Sequence, residues 1–408
     1  MANGKFKYEG VNSEGRSVQG EIAGKDVRHV KRLLRRKGIR AKKVSAPNPL
    51  DIDLGMWMVE KGLAKAFGKA ELNRFTRQLS ILINAGVPIL ECMEILAKQE
   101  QNPSLKATIK KVMDDVGSGK SLHEGLSSQK GFDKLYCSLV KAGEAAGILD
   151  TILVKLSEFM DKQEGIKKKI KGALTYPVIV VLIGIAVVWG LMVFVVPQFV
   201  GMLKESGQEI PAVTQFVIDT SNFFQDYTLY MIPGGFVGSI LFLNFIRSKD
   251  GKVKWDRFTM KSPVFGDIII KGNLSSFSRT LSTMLSSGVD LLESLEVCID
   301  TVDNTQIQKD LKLVRQAVMK GQSITEPLGR IKYFPPLVNQ MVKVGESTGN
   351  LDEMLLKVAD VFEEETEEAI DNMTKLIEPA ILVGLGGMVG TVLIAMYLPI
   401  FMAAGGAG

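Results

Sequence analysis

The stretch RFTRQLSILINAGVPILECMEIL, Arg74 to Leu96, returns later in the chain as SFSRTLSTMLSSGVDLLESLEVC, Ser276 to Cys298. Phe75 becomes Phe277, Arg77 becomes Arg279, Leu79 becomes Leu281, Gly86 becomes Gly288 and Glu91 becomes Glu293, each 202 residues on. The offset carries Ser121, Glu124 and Leu126 onto Ser323, Glu326 and Leu328. It carries Lys141, Gly143, Glu144, Gly147 and Asp150 onto Lys343, Gly345, Glu346, Gly349 and Asp352, and Pro177 and Pro197 onto Pro379 and Pro399. A period this long means two copies of a domain and not a solenoid of short repeats.

Within the first copy, Phe75, Leu79, Leu82 and Ile83 keep the i, i+4, i+7, i+8 spacing of a buried helical stripe. Gly86 and Pro88 then stop the helix. Further helices are expected over Leu90–Gln99, Leu105–Val116, Ser121–Ser127, Leu135–Ala142 and Asp150–Lys162. Short loops between them predict a six-helix bundle, copied from Leu274 to Asn372. Ser121 with Glu124, and Ser323 with Glu326, fit capping boxes. Gly117-Ser118-Gly119-Lys120-Ser121 has the look of a phosphate loop, but Asp114 stands where its first glycine is required and no buried strand precedes it.

No charged residue occurs from Gly172 to Leu203, from Tyr227 to Ile246 or from Pro379 to Gly408. At ~1.5 Å per residue each stretch is long enough to cross about 30 Å of hydrocarbon. Lys162, Lys167, Lys168, Lys169 and Lys171 precede the first span; Arg247, Lys249, Lys252, Lys254, Arg257 and Lys261 follow the second. The intervening loop has Lys204 alone among Glu205, Glu209, Asp219 and Asp226. The positive-inside rule puts both copies, and the N-terminus with them, in the cytoplasm and the loop and C-terminus outside. The unpaired second span brings the chain back, so the copies are parallel. The start, MANGKFKYEG, has no apolar core and is not expected to be a secretory signal.

The expected fold class is mainly α: a polytopic membrane protein with two cytoplasmic six-helix bundles, three transmembrane helices and a small α+β N-terminal domain. The 408 residues divide accordingly. Residues 1–46 are the basic α+β unit and 47–69 a linker with an amphipathic segment. The first bundle is 70–171, followed by a span at 172–203, a periplasmic loop at 204–226 and a span at 227–246. The second bundle is 247–375, with the last span at 376–404. In the N-terminal unit Phe6 and Tyr8 alternate with charged residues, Asn12 to Gly15 supply a turn, and Asp26 caps a helix with Val27, Val30, Leu33 and Leu34 on one face. Its Arg28, Lys31, Arg32, Arg35 and Arg36 suit an anionic lipid surface or an acidic protein. Nucleic acid is not expected, because no aromatic residues interleave with the basic ones. The segment 51–67 fits a surface-lying helix or packing on the first copy, and both stay open.

Cys92, Cys137 and Cys298 show no CxxC spacing, and His29 and His123 are the only histidines, so reduced core thiols are expected and no metal site. Neither copy holds a nucleophile–base arrangement, so no catalytic residue and no cofactor is expected. The acids of VKAGEAAGILD and VKVGESTGNLD join two helices, with Asp150 and Asp352 as caps; a cation or partner at these turns is the alternative. The basic run at Lys167–Lys171 lies at the depth of Glu363, Glu364, Glu365, Glu367, Glu368 and Asp371, so the two sets can pair between copies or subunits. No ionisable residue lies inside the spans; Glu378 is the nearest, and dry spans suit a scaffold more than a conduit.

These motifs together resemble the type II secretion protein F superfamily. The match rests on FTRQL at Phe75–Leu79, AGVP at Ala85–Pro88, VKAGEAAG at Val140–Gly147, YP at Tyr176–Pro177 and FVVPQF at Phe194–Phe199. LSTMLSSGV, VGESTGNLD, EP at Glu378–Pro379 and MYLPIF at Met396–Phe401 complete it, with Asp290 departing from the Pro88 of the first copy. The resemblance implies a non-enzymatic platform of the bacterial inner membrane, nearest to those of type IV pilus assembly. Implied partners are hexameric assembly and retraction ATPases, pilin subunits, other inner-membrane components of the machine, membrane lipid and further copies of the chain. A secretion or DNA-uptake pseudopilus platform is the alternative, and a parallel-repeat transporter a more distant one. Arg77, Glu144, Asp150, Arg279, Glu346, Asp352 and Glu378 are the candidate interaction residues.

Overall fold

The computed structural model describes residues 4–11, 17–24, 27–36, 38–45, 66–205 and 210–405. They fall into two compact units, Met1–Gly131 and Phe132–Gly408. The boundary lies inside the first copy, whose last two helices therefore belong to the second unit.

In the first unit, strands β1 (Gly4–Val11), β2 (Ser17–Gly24) and β3 (Arg40–Ser45) form an antiparallel sheet of order β2-β1-β3. Phe6 stands opposite Ile22, and Tyr8 opposite Gly20 on one side and Val44 on the other. Helix α1 (Val27–Arg36) buries Val30 and Leu34, four residues apart, against Tyr8, Ile39, Ala41 and Val44. Its Lys31, Arg32 and Arg35 are exposed. The expected turn at Asn12–Gly15, the cap at Asp26 and nearly all of the 51–67 segment lie outside the described residues.

Helices α2 (Lys69–Asn84), α3 (Ile89–Gln99), α4 (Pro103–Gly117) and α5 (Leu122–Ser127) follow. Phe75 and Leu79 of α2 are buried as the stripe requires, with Cys92, Met93, Leu105, Ile109, Leu122 and Leu126. Gly86 takes φ +80° just past α2, the left-handed conformation that glycine adopts without strain. Asn102 starts α4, its side chain accepting from the Ser104 and Leu105 amides, with Pro103 at the first helical position. The Gly117–Ser121 stretch ends one helix and begins the next. Ser121 and Glu124 form the expected capping box, at 3.0 and 3.4 Å.

The second unit opens with α6 (Lys134–Ala146) and α7 (Leu149–Gly190). A π-helical turn, Leu191–Val195, joins α7 to α8 (Val196–Glu205). Then come α9 (Ala212–Arg247) and α10 (Lys249–Lys261). The second copy is α11 (Gly266–Leu285), α12 (Leu291–Thr301), α13 (Thr305–Met319), α14 (Thr325–Gly329), α15 (Pro336–Thr348) and α16 (Leu351–Gly405). Its core gathers Leu274, Phe277, Leu281, Cys298, Leu311, Leu328, Val342, Val358 and Phe362 from all six helices.

Four expectations differ from the structure. The turn expected over Gly143–Asp150 shrinks to Gly147 and Ile148, because α6 continues to Ala146 and Gly147 takes φ +71°. The Ile148 amide bonds the Gly143 carbonyl at 2.9 Å, the closure of a Schellman turn. Gly143 is the contact point: a Cβ there would stand 3.0 Å from Ile152, so its absence lets α6 and α7 cross closely. Asp150 consequently lies inside the first turn of α7 and is not its cap, a position where its charge still favours the helix dipole.

Secondly, no break separates a bundle from its span. α7 runs from Leu149 to Gly190, and α16 from Leu351 to Gly405 as one helix of 55 residues. Thirdly, the expected 204–226 loop is largely helical, since α9 begins at Ala212. Fourthly, Ser323 and Glu326 form no capping box: Glu326 pairs with Arg330 at 2.6 Å, and Glu346 takes its place. By length and apolarity, Leu149–Met202 and Leu351–Pro399 can each cross a membrane. α9 makes a third crossing if its two halves, bent by 62° beside Pro233, count as one span.

Candidate functional site

The site is a path along α7 and α16, two rods that begin in helical copies and end in apolar segments. Below the apolar segments, oppositely charged side chains tie the rods together. Glu363 on α16 is 8% exposed and accepts from Arg279 of α11 in a very short contact. Lys162 of α7 reaches the same carboxylate at 3.0 Å, and Arg279 also holds Asp360 at 2.7 Å. Lys169 pairs with Glu367, and Lys271 with Glu365 at 3.0 Å. The expected pairing of the basic run with the acidic helix thus occurs between copies within one chain. Lys168 is not part of it, binding Glu164 of its own helix at 2.8 Å. Above these pairs Ile170, Ala173 and Leu174 of α7 pack with Ile268, Ile370 and Met373.

Neighbouring contacts fasten α6 and α7 to the second copy. Lys134 pairs with Asp300 at 2.8 Å and Lys141 approaches Glu293 at 3.8 Å. Lys155 donates to the Ser286 carbonyl at 3.2 Å, and Gln163 to Ser276 at 2.8 Å. Inside the apolar region Gly184 of α7 admits Leu385 of α16, where a Cβ would come within 2.3 Å.

At the far end the two repeat prolines decide the arrangement. Pro399 has no N–H, so the Ala395 carbonyl four residues earlier loses its helical donor. Thr214 of α9 donates to that carbonyl at 2.6 Å. In the first copy the π turn makes Val196 donate to Leu191, five residues back, so the next donor in that register is Pro197 and the next acceptor Met192. Ser221 of α9 donates to the Met192 carbonyl at 2.5 Å. Thr214 and Ser221 are seven residues apart and share a face of α9. Both are buried, among Met192, Val196, Val217, Val392, Ala395 and Met396. A helix carbonyl without a donor is unfavourable in an apolar surrounding, and these hydroxyls supply the missing donors.

The candidate residues separate into kinds. Arg279 is an internal clamp, not a free surface group. Glu346 of α15 is a cap for its neighbour: its carboxylate accepts from the Ser323 and Thr325 hydroxyls at 2.5 and 2.6 Å and from the Ile324 and Thr325 amides at 3.1 and 3.4 Å. Burial would raise its pKa, but these hydrogen bonds together hold it below the ordinary 4.5. A folded pKa below the unfolded one stabilises at higher pH and loses that contribution as pH falls through the depressed value. Glu346→Gln is therefore expected to lower stability by about 1 kcal/mol near neutrality, the scale of a lost helix cap. It should also flatten the acid limb of the stability profile below about 4.5. Thermal melts of the detergent-solubilised chain across pH read both effects, and an unchanged acid limb would contradict the capping role.

Arg77 is exposed and Glu144 half-buried, and each makes further contacts. Asp150 and Asp352 lie in the first turns of α7 and α16, half-buried, and Glu378 is exposed. Burial pushes the Cys92 and Cys298 thiols up, which keeps them protonated. Among the described residues no group of three or more His, Cys, Asp or Glu could hold a metal ion. Sequence reasoning missed Thr214 and Ser221. The signal in the sequence is slight: two hydroxyls a heptad apart in the polar stretch ahead of the unpaired span, and two repeat prolines that leave helix carbonyls without donors.

The family model for type II secretion system protein F matches residues 75–197 and again 277–399, and that for the protein F N-terminal domain matches 1–45. The chain is 38% identical to the type IV pilus assembly protein PilC of Myxococcus xanthus, over 99% of this chain and 96% of the relative. It is 34% identical to the PilC of Thermus thermophilus, over 98% of each. The type II secretion system protein F of Vibrio cholerae is 29% identical over 97% of each.

Proposed function

From the premise that this chain belongs to the type II secretion system protein F family, we propose that it carries force between a cytoplasmic motor and subunits held in the bilayer. It is a platform protein of the inner membrane, a component of a pilus or secretion machine, and its family is one of platforms and not of enzymes. The type IV pilus is the favoured setting, because the full-length relatives named for pilus assembly are the more similar ones.

The observation that carries this reading is the pair of unbroken helices, α7 and α16, clamped to each other outside the membrane. A displacement applied to the second copy passes to both spans with no flexible joint between. Hexameric assembly and retraction ATPases dock on the copies, which lie in the cytoplasm with the N-terminus, while the end of α16 lies in the periplasm. Pilin subunits are lifted at the spans, and further copies of the chain complete the platform. Residues 1–46 act as a separate α+β unit, and 70–171 and 247–375 as the two bundles. Asp150, Asp352 and Glu378 contribute to partner surfaces. Arg77 and Glu144 contribute to such surfaces as well.

Purification from native membranes after brief crosslinking tests the assignment. Recovery of a hexameric ATPase together with pilin-like subunits is the expected result. Solute flux through reconstituted vesicles, with neither partner recovered, would replace it with the transporter reading.

A further inference from the structure

Helix α10 has two faces with different surroundings. Asp256 and Met260, four residues apart, point to the second copy. The Asp256 carboxylate accepts from the Thr305 amide at 2.8 Å at the start of α13, and Met260 packs on the second copy's core. About 150° round the helix, at ~100° per residue, stand Trp255 and Phe258. Phe258 is 68% exposed and Trp255 37%, although both are large and aromatic. Trp255 stacks edge-on with Phe242 of α9, ring centres 5.6 Å apart, and Phe258 lies 6.0 Å beyond. Phe242 and Phe245 are themselves half-exposed on the last turns of α9.

The turn between α9 and α10 makes this possible. Ser248 breaks the helix with extended backbone and caps α10 through the Gly251 amide at 3.2 Å. Gly251 packs so close to the Phe245 carbonyl that a Cβ would meet it at 1.9 Å, so α10 turns sharply off the end of the span. Phe242 precedes Arg247 by five residues, so the Trp255 ring sits about 7–8 Å above the charged end of α9, measured along its axis. That is the depth of the boundary between headgroups and acyl chains, where tryptophan concentrates. Lys254 and Lys261, seven residues apart, flank Phe258, and Lys252 flanks Trp255 on the other side. All three are exposed, and among the described residues none of them pairs with a carboxylate.

We propose that α10 is a lipid-binding strut: Trp255 and Phe258 insert at the headgroup boundary, Lys252, Lys254 and Lys261 bind anionic headgroups, and Asp256 fixes the second copy to that surface. The occupant is lipid and not protein because the aromatic face continues the apolar surface of a span and is bordered by cations, the pattern of an interfacial amphipathic helix. The proposal rests on the reading of α9 as a span with its Arg247 end at the cytoplasmic surface.

The test uses tryptophan fluorescence of the full chain in nanodiscs of phosphatidylcholine with or without phosphatidylglycerol. The three tryptophans are Trp57, Trp189 and Trp255. A Trp57→Phe, Trp189→Phe variant reports Trp255, and a Trp57→Phe, Trp255→Phe variant reports Trp189 within the first span. Lipid brominated near the carbonyl end should quench Trp255 by roughly two-fold or more, and more strongly with phosphatidylglycerol present. Adding Lys252→Glu, Lys254→Glu and Lys261→Glu should abolish the dependence on phosphatidylglycerol. Trp255 emission that responds only to aqueous iodide would overturn the proposal and leave the face to a protein partner. Quenching with no dependence on anionic lipid would overturn the headgroup assignment. Trp189, whose ring N–H donates to Thr228 of α9 at 3.2 Å, separates the two levels: if bromine at the bilayer centre leaves it unquenched, the reading of α7 and α9 as spans fails.

Discussion

Arg279→Met is expected to destabilise the second unit by about 3 kcal/mol, the cost of removing one partner from a buried ion pair. The reason is what it leaves behind. Glu363 stays buried with its main cation gone, and Lys162, whose own side chain is 55% exposed, is a weaker and more mobile counter-charge. Both contacts leave from one guanidinium nitrogen, Nη2, so Arg279→Lys should recover part of the loss, limited by the shorter reach of its ammonium. The double variant Arg279→Met with Glu363→Gln should recover more than either single change, because no bare charge remains. Thermal unfolding and limited proteolysis of the solubilised chain read the effect. Equal losses for the single and double variants would show that Arg279 matters by its packing and not through Glu363. If the proposed force path runs through this clamp, fibre assembly should fall with stability.

The second large effect concerns the far end of the spans. Thr214→Val with Ser221→Ala should cost ~2 kcal/mol together, about 1 kcal/mol for each carbonyl that loses its donor. The sites lie about 10 Å apart along α9 and should add. A restored donor gives the sharper measurement. Pro197→Ala returns an N–H to the helix, so Ser221→Ala should cost little in that background. Pro399→Ala should likewise relieve Thr214→Val. A cost for Ser221→Ala that does not depend on residue 197 would mean that the hydroxyl is not answering the proline.

How far the sequence could be read depended on the kind of information each feature needs. The duplication was plain because Phe75 and Phe277, or Gly147 and Gly349, need only be counted. The helices around Leu79 and Leu281 followed from periodicity, and both residues are fully buried. Ser121 with Glu124 is a local exchange of hydrogen bonds and was legible as one. The identical spacing at Ser323 and Glu326 misled, because Glu346 arrives from 20 residues further on and competes for the same amides. Arg279 is a surface candidate that its partners on α16 turn inward, whereas Glu346 stays exposed with its carboxylate taken up by Ser323, Ile324 and Thr325. Lys162 and Lys169 were read for topology, and the structure adds Glu363 and Glu367 as their counterparts. Thr214 and Ser221 were placed in a loop because the apolar run begins only at Tyr227. Helical backbone continues beyond the apolar run, through polar residues whose inner face meets the other spans.

The π turn at Leu191–Val195 has a consequence for any helix that passes along the spans. One residue of extra backbone turns everything after it by roughly 100° relative to an uninterrupted helix. α16 carries no such insertion. Residues after Val195 therefore present a different side from their counterparts 202 positions later, and the accepting carbonyls, Met192 and Ala395, are one step out of register with that offset. The two copies thus differ by one residue of register at their outer ends, as they differ by the sign of their charge further in, where Lys169 meets Glu367, so a duplicated sequence builds two unlike helical surfaces.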